Sequence, residues 1–402
     1  MAAKSGSVTF ILVTIFIDAI GFGLIMPVLP QLLMRVGKIE LSDAIGIGAW
    51  MGLAMAVASF VAAPVLGNLS DRFGRRRILL VSLGGLAVDY LLLAIANTLP
   101  LVFIGRVISG VFGGSYSTAM AAISDITPPD DRAKTFGFVS AAFGVGFVLG
   151  PAIGGLLGEY GDRAPFVVAA AMAGLNFLYG LIVFPETLKP ENRRPFRLAR
   201  ANPLGAIAVM RGLPGMAGIA VVLILWQIAS LVYPLIWSFY AIAQFGWSTR
   251  LIGISLAAVG ITIAISQTFI TGPAVKKFGE RDAATIGLIV AIAGFVVYAL
   301  IDATWMAFAA MAFIALQGLV QPSLMAMLSR RATPETQGEV QGISAMAMGL
   351  GSIAGPLVLT TPMAWFTGPS APFYFPGAPF VVAAGFGVAA LVMLRRLPRV
   401  SI

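Results

Sequence analysis

The stretch GNLSDRFGRRR, residues 67–77, combines one acid and four arginines with two glycines in a chain that is otherwise poor in charge. The apolar runs 44–66 and 78–96 flank it, and each is long enough to cross a bilayer as a helix. The stretch is therefore predicted to be a tight loop between two membrane helices. Because arginines concentrate in cytoplasmic loops, we expect it on the cytoplasmic side.

A second copy of this stretch indicates that the chain arose by duplication. The sequence GPAVKKFGER begins 205 residues later, at Gly272, and GSIAGP at 351–356 repeats GFVLGP at 146–151 with the same offset. This offset carries six predicted spans, an even number, so both copies enter the membrane from the same side. The two halves are therefore predicted to be parallel repeats about an axis along the membrane normal.

The composition is that of a membrane protein. Hydrophobic residues make up 59% of the 402 residues and charged residues 11%, whereas soluble domains have about 25% charged residues. The net charge of +9 lies in short loops rather than in one patch, which argues against a nucleic-acid partner. Without cysteine or histidine the chain has no disulfide, no thiolate nucleophile and no imidazole base, and no zinc site is expected.

Apolar runs predict an all-α membrane protein with twelve transmembrane helices in two pseudo-symmetric six-helix bundles. The bundles are residues 1–184 and 215–402, and a basic cytoplasmic linker, 185–214, joins them. With both termini in the cytoplasm, that side carries 21 Lys and Arg and the other side four. The spans are predicted near 8–30, 44–66, 78–96, 101–123, 136–158, 166–184, 216–243, 251–271, 284–301, 305–328, 340–361 and 379–394.

Three ionisable residues fall inside predicted spans: Asp18, Asp89 and Arg106. Each costs about 2.5–3.5 kcal/mol at the centre of a membrane helix, so such residues usually face a cavity, a partner or a substrate path. Two acids and one base can form one ion pair and leave one spare acid. A spare acid in a water-accessible cavity can exchange a proton, as a proton antiporter requires. The alternative is an Asp–Arg pair that only locks helices together.

The charges of the 67–77 stretch suggest more than orientation. An aspartate at a loop tip can accept backbone N–H groups at a helix N-terminus, and an arginine can bridge to a second acid, for which Asp125 is well placed. The cluster is thus a candidate conformational clamp. The alternative is a plain basic loop that only sets topology. The clamp candidates are Gly67, Asp71, Arg72, Gly74, Arg75, Arg76 and Asp125.

Two further groups of residues are site candidates. A run of small residues in the fifth span allows close approach of a neighbouring helix, and either seals the interface between the halves or simply packs. Aromatic rings and amides of the second half suit a planar polycyclic ligand, although an interfacial aromatic belt would also explain some of the rings. The candidates are Gly146, Gly150, Pro151 and Gly154 in the first group and Gln227, Trp237 and Gln321 in the second.

Several motifs give the chain a family resemblance. The 67–77 stretch resembles the loop signature of the major facilitator superfamily, and GFVLGPAIGG at 146–155 resembles the fifth-helix signature of its drug:proton antiporters. FIDAIGFGLIMPVLP at 16–30, VDYLLLAIAN at 88–97, IGRVISGVFGG at 104–114 and FGWS at 245–248 are similar to bacterial tetracycline efflux proteins. The resemblance covers nearly the whole chain.

The resemblance implies proton-coupled export of tetracycline or a similar amphipathic drug across the bacterial inner membrane by alternating access, and hence antibiotic resistance. It assigns transport to Asp18 and Asp89, support of the fourth helix to Arg106 and a substrate contact to Gln227. It also implies that the clamp acts between the halves. Tetracycline exporters have a histidine at the position of Ile263 and an acid at the position of Ala291. The proton stoichiometry of those exporters therefore cannot be transferred to this chain.

The sequence leaves one other function open and argues against three. An exporter of a metabolite such as a sugar or an amino acid is the main alternative, because the second half lacks the family's ionisable residues. The sequence has no nucleophile, base or metal cluster of an enzyme and no filter motif of a channel. It also has no Walker lysine loop, which an ATPase would need. The expected partners are a small drug-like molecule, protons and the lipid bilayer, with no cofactor, and the protein is expected to be a monomer.

Overall fold

The computed structural model describes residues 2–113, 115–197, 216–331 and 337–398. Within these residues the chain is helical, without strands, and twelve helical segments are long and apolar enough to cross a membrane. The predicted all-α class and the number of spans are confirmed. The segments are Ser7–Ile25, Leu41–Phe73, Arg75–Ile95, Leu99–Ile126, Lys134–Gly158, Ala164–Val183, Met216–Phe245, Thr249–Phe278, Glu280–Leu300, Thr304–Ser329, Val340–Thr367 and Ala378–Arg396.

The first compact unit comprises Met1–Ile39, Ala54–Asn202 and Ser248–Ala257. Its core is a cluster of aliphatic side chains with two stacked rings, Phe10 and Phe184, whose centroids lie 4.7 Å apart. The helices of the first half of the chain are α1 (Ala2–Ile25), α2 (Leu29–Gly37), α3 (Leu41–Phe73), α4 (Arg75–Ile95), α5 (Leu99–Phe112), α6 (Ser115–Ile126), α7 (Arg132–Gly158) and α8 (Ala164–Val183).

The second compact unit comprises Glu40–Leu53, Pro203–Trp247 and Ala258–Ile402. A π-helical turn, Ser266–Thr271, interrupts the eighth span of the chain, Thr249–Phe278. The helices of the second half are α9 (Met216–Ser230), α10 (Val232–Phe245), α11 (Thr249–Ile265), α12 (Gly272–Phe278), α13 (Glu280–Leu300), α14 (Thr304–Ala309), α15 (Met311–Gln317), α16 (Val320–Ser329), α17 (Gln337–Thr367) and α18 (Ala378–Arg396).

The 67–77 stretch, which its charges predict to be a tight loop, is almost entirely helical. Helix α3 continues to Phe73, and α4 begins at Arg75. Only Gly74, with φ of 100°, breaks the helix, because that conformation is readily adopted by glycine alone. The first predicted span, 8–30, ends earlier than expected, at Ile25, because Pro27 lacks the N–H that a helix interior needs.

The duplication is visible in the element boundaries. Helices α4 and α13 have 21 residues each, and both begin and end 205 residues apart. Gly279, the equivalent of Gly74, has φ of 79° and ψ of 163°, close to the 100° and 153° of Gly74. The second copy of the stretch therefore folds as the first does, with one glycine between two helices.

Candidate functional site

A cavity of about 290 Å³ lies inside the first unit, among α1, α3, α4, α5, α6 and α7. Its volume is near the lower end for small-molecule sites, which run from roughly 300 to 1,000 Å³. The lining is mainly apolar and aromatic, and Asp18 is its one carboxylate. The lining residues are Ile15, Asp18, Ala19, Phe22, Met55, Ser59, Leu86, Tyr90, Ser109, Gly110, Gly113, Ser115, Tyr116 and Phe143.

Asp18 projects from the middle of α1 into this cavity. Its Oδ2 accepts a hydrogen bond of 2.8 Å from the Ser115 hydroxyl at the start of α6. Within the part of the chain that the structure describes, no Lys or Arg forms an ion pair with it. Asp18 is therefore a carboxyl that faces the cavity with a neutral hydrogen-bond donor as its partner.

Asp89 and Arg106 form a buried ion pair beside the cavity. The Nη2 of Arg106 lies 3.1 Å from Oδ2 and 3.4 Å from Oδ1 of Asp89. The side chains are 0% and 8% exposed. Gly105 makes room for the carboxylate, because a Cβ there would lie 2.9 Å from Oδ1. The three ionisable residues inside the predicted spans thus make one pair, and Asp18 is left over.

Most residues of the cavity wall were not predicted from the sequence. Ser115 holds Asp18, and the rings of Tyr116 and Phe143 meet edge to face with centroids 6.1 Å apart. Tyr90 packs its hydroxyl over Gly21, where a Cβ would lie 2.7 Å from that oxygen. A usable signal was the spacing of residues 106, 109, 113 and 116, which is typical of one helix face.

Arg75 is the centre of the charged cluster that ends α3. Its Nη1 lies 2.6 Å from Asp71 Oδ1, and its Nε donates to Asp125 Oδ2 at 3.0 Å. The same Nη1 donates to the Ser70 hydroxyl, which in turn donates to the Gly67 carbonyl at 2.7 Å. The arginine therefore joins the end of α3 to the end of α6, which is the bridge to Asp125 that the sequence predicted.

A residue outside the predicted cluster completes it. Glu186, at the start of the linker, accepts the backbone N–H of Arg75 at 2.8 Å and those of Thr187 and Leu188 at 3.0 Å each. Its carboxylate lies so close to Gly74 that a Cβ there would collide with it. Glu186 therefore supplies negative charge to the N-terminus of α4, where the helix dipole favours it.

The linker makes two further contacts with the same stretch. The backbone N–H of Arg194 donates to the Asp71 carbonyl at 3.0 Å, and Asn68 Nδ2 donates to the Arg197 carbonyl at 2.7 Å. The described start of the linker is thus part of the first unit. The remainder of the predicted linker, 198–214, lies outside the described residues.

The other predicted clamp residues make contacts outside the Asp71–Arg75–Asp125 group. Arg76 Nη2 donates to the Leu181 carbonyl at 2.7 Å, near the C-terminus of α8. The guanidinium of Arg72 lies over the neighbouring Phe73 ring, 4.8 Å from its centroid. A Cβ at Gly67 would meet open space. Of the predicted cluster, the structure brings together Asp71, Arg75 and Asp125.

Gly74 gives a direct test of this geometry. Replacement by Ala is expected to destabilise the protein by about 1–3 kcal/mol, because alanine resists the positive φ and its Cβ meets Glu186. Gly67→Ala is the matched control, since its Cβ enters open space in a helix. Thermal unfolding in detergent measures both variants. Equal melting temperatures would contradict the proposed constraint on Gly74.

The fifth-span glycines pack α7 closely onto α1 inside the first unit. A Cβ at Gly146 or Gly150 would lie 2.6–2.7 Å from a carbonyl oxygen of α1. Pro151 meets Gly23, where a Cβ would lie 2.6 Å from the proline Cδ. The contacts are those of a small-residue helix pair in a membrane. The facing pairs are Gly146 with Phe16, Gly150 with Ile20 and Gly154 with Leu24.

The second-half candidates lie in the second unit and do not line the cavity. Trp237 is 2% exposed and packs edge to face on Trp247 and Tyr298, so its predicted substrate contact would require this aromatic core to open. Gln227 packs against Gly351, where a Cβ would lie 2.6 Å from the glutamine Cβ. Gln321 Nε2 donates to the Met348 sulfur at 3.7 Å.

The twelve spans, the repeated signature and the charged groups of the first unit define a secondary transporter. The chain belongs to the Major Facilitator Superfamily, whose model matches residues 11–356 and, in a second match, 221–401.

Its relatives include resistance proteins. The chain is 42% identical to "Tetracycline resistance protein, class C" of Escherichia coli over 89% of each chain, and 39% identical to the class G protein of Vibrio anguillarum over 87% and 88%. The solved nucleoside transporter NupG shares the fold, with a TM-score of 0.82 over 98% of this chain and 100% of that one, at 14% identity. The chain is therefore a multi-pass inner-membrane transporter of a small molecule, and not an enzyme.

Proposed function

We propose that the protein exports tetracycline or a similar amphipathic drug in exchange for protons. The observation that carries the proposal is Asp18, a carboxyl in an apolar cavity that has a serine and no described basic residue as its partner. An antiporter needs one group that holds either a proton or its substrate. The identity of 42% to a tetracycline resistance protein supports the choice of drug.

The cavity chemistry suits an amphipathic aromatic molecule. Phe22, Tyr116 and Phe143 offer ring faces, and Ser59 and Ser109 offer hydroxyl groups. Polycyclic ligands bind such sites through stacking and a few hydrogen bonds. A deprotonated Asp18 attracts a cationic group of the drug, and a protonated Asp18 does not. Loading of a proton and binding of the drug therefore exclude each other at this carboxyl.

Asp89 and Arg106 have a different task in this proposal. Their charges neutralise each other, so they fix α5 to α4 beside the cavity and give Asp18 a constant electrostatic surrounding. Breaking the pair would leave one buried charge without compensation. The pair is thus a positioning element, and Asp18 is the group that exchanges its proton with the drug.

The Arg75 cluster is proposed as a cytoplasmic clamp whose described contacts lie within the first unit, whereas the family resemblance implies a clamp between the halves. It ties α3, α4, α6 and the linker together through contacts of 2.6–3.0 Å, so the end of α3 moves with these elements as one body. Such rigidity is what alternating access between two six-helix bundles, 1–184 and 215–402, requires of its moving parts. We further propose a monomer with both termini in the cytoplasm.

Proton exchange can be measured in proteoliposomes with an acidic lumen. Adding tetracycline outside is expected to release luminal protons and to accumulate the drug inside. Protein-free vesicles of the same lipid are the control, because amphipathic bases also carry protons across bilayers. Proton release with a sugar or an amino acid, and none above the control with any drug, would favour the metabolite exporter and refute drug export.

A further inference from the structure

The three linked charges of the first unit, Asp71, Arg75 and Asp125, have counterparts of opposite sign in the second unit. Residues 205 positions after the three linked charges are a lysine, a glutamate and an arginine. The counterpart of the Arg75–Asp125 bridge is an ion pair of 2.6 Å between Arg330 Nε and Glu280 Oε1. The reversed positions are Asp71 with Lys276, Arg75 with Glu280 and Asp125 with Arg330.

The surrounding backbone is the same in both units. Arg75 and Glu280 are each the first residue of a 21-residue helix that follows a glycine of positive φ. Asp125 lies in the last turn of α6, and Arg330 caps the C-terminus of α16. Each pair thus joins the beginning of one helix to the end of another. The polarity has changed while the connection has been kept.

Helix dipoles make the two polarities unequal. A negative charge is favoured at a helix N-terminus and a positive charge at a C-terminus, by about 0.3–1 kcal/mol each. Glu280 and Arg330 satisfy both preferences, whereas Arg75 and Asp125 oppose both. The first unit corrects its mismatch with Glu186, which brings a carboxylate to the start of α4. The second unit needs no such addition, because Glu280 provides the carboxylate itself.

We propose that Glu280 and Arg330 are positioning residues for transport, and that they fix α13 to α16 at the cytoplasmic end of the second unit as Arg75 fixes its helices in the first. The cavity lies in the first unit, and the pair acts through the helices that it joins. This inference rests on the transport function proposed above. It extends that function by assigning a second clamp of opposite polarity to the other half of the chain.

Charge exchange tests the pair. Glu280→Arg is expected to lower the maximal rate of tetracycline export per folded molecule by roughly tenfold, since two cations then face each other. KM is expected to stay within about twofold, because the cavity lies in the first unit. Glu280→Arg with Arg330→Glu should recover the rate to within about threefold of the parent, and the remaining deficit reflects charges that oppose both helix ends.

Asp282→Arg is the matched control, because it makes the same charge change on an exposed residue in the same first turn of α13. A rate for Glu280→Arg equal to that of Asp282→Arg would overturn the proposal. A double variant no better than Glu280→Arg would also overturn it. If the charge reversal prevents folding, Glu280→Gln and Arg330→Gln replace it. The export rate of the double Gln variant should then be no lower than that of the slower single variant.

Melting temperatures separate this inference from the transport proposal. If the parent exports no drug, the proposed function fails. Glu280→Arg should still lower the melting temperature, and the double exchange with Arg330→Glu should restore it. If the parent exports tetracycline and neither rate nor melting temperature responds to the exchange, the clamp in the second unit is refuted while drug export stands.

Discussion

Asp18→Asn is expected to reduce uphill export of tetracycline to the level of protein-free vesicles. Asparagine can still accept the hydrogen bond from Ser115, but it can neither release a proton nor attract a cation. Because Asp18 has no described basic partner, the substitution leaves no charge uncompensated. The melting temperature should therefore change by no more than about 2 °C.

Two measurements and one control variant make this prediction specific. Uphill export is followed as drug accumulation in vesicles with an acidic lumen, and downhill drug flux is followed without a proton gradient. Asp43→Asn is the matched control, since it removes a carboxyl from an exposed position at the start of α3. Undiminished accumulation by the Asp18 variant would show that the proton is carried elsewhere.

Asp89→Asn is expected to destabilise the protein by about 3 kcal/mol, and export should be lost with it. The substitution leaves the Arg106 guanidinium, whose side chain is 8% exposed, without its counter-charge. Its Nε already has no described hydrogen-bond partner. The two aspartates should therefore differ: loss of the Asp18 charge stops coupling, whereas loss of the buried Asp89 charge also weakens the fold. Thermal unfolding of the two Asn variants side by side measures the difference.

A double variant shows whether the charge pair itself is responsible. Asp89→Leu combined with Arg106→Met removes both charges and fills the space with apolar side chains. Its stability should exceed that of Asp89→Asn, because replacing a buried pair by hydrophobic residues is often neutral or stabilising. If the double variant is no more stable than the single one, the cost has come from lost packing at residue 89.

The fold was predictable because its causes are local. Span length and apolar composition define twelve helices, and a constant offset relates the two halves. The same information misjudged the 67–77 stretch, since polar residues there continue a helix and only Gly74 interrupts it. Charge indicates where a chain meets water, and it does not by itself indicate where a helix ends.

The candidate site was only partly predictable. An ionisable residue in a span signals a function by its cost alone, so Asp18, Asp89 and Arg106 stood out. Ser115 and Phe143 carry no such cost, and their part in the cavity depends on which helix faces meet. Trp237 shows the converse, because aromatic residues suit a ligand and a core equally well, and here the ring packs in a core.

The hydrogen bond from the Arg75 N–H to Glu186 limits which insertions and deletions the middle of the chain can accept. An insertion or deletion between Phe184 and Glu186 would shift the carboxylate away from the Arg75 N–H. One between Leu188 and Arg194 would displace the Arg194 N–H from the Asp71 carbonyl. The register of this hydrophilic stretch is thus fixed at both of its ends. Tags, fusion partners and cleavage sites introduced between the two halves of the gene must leave it intact.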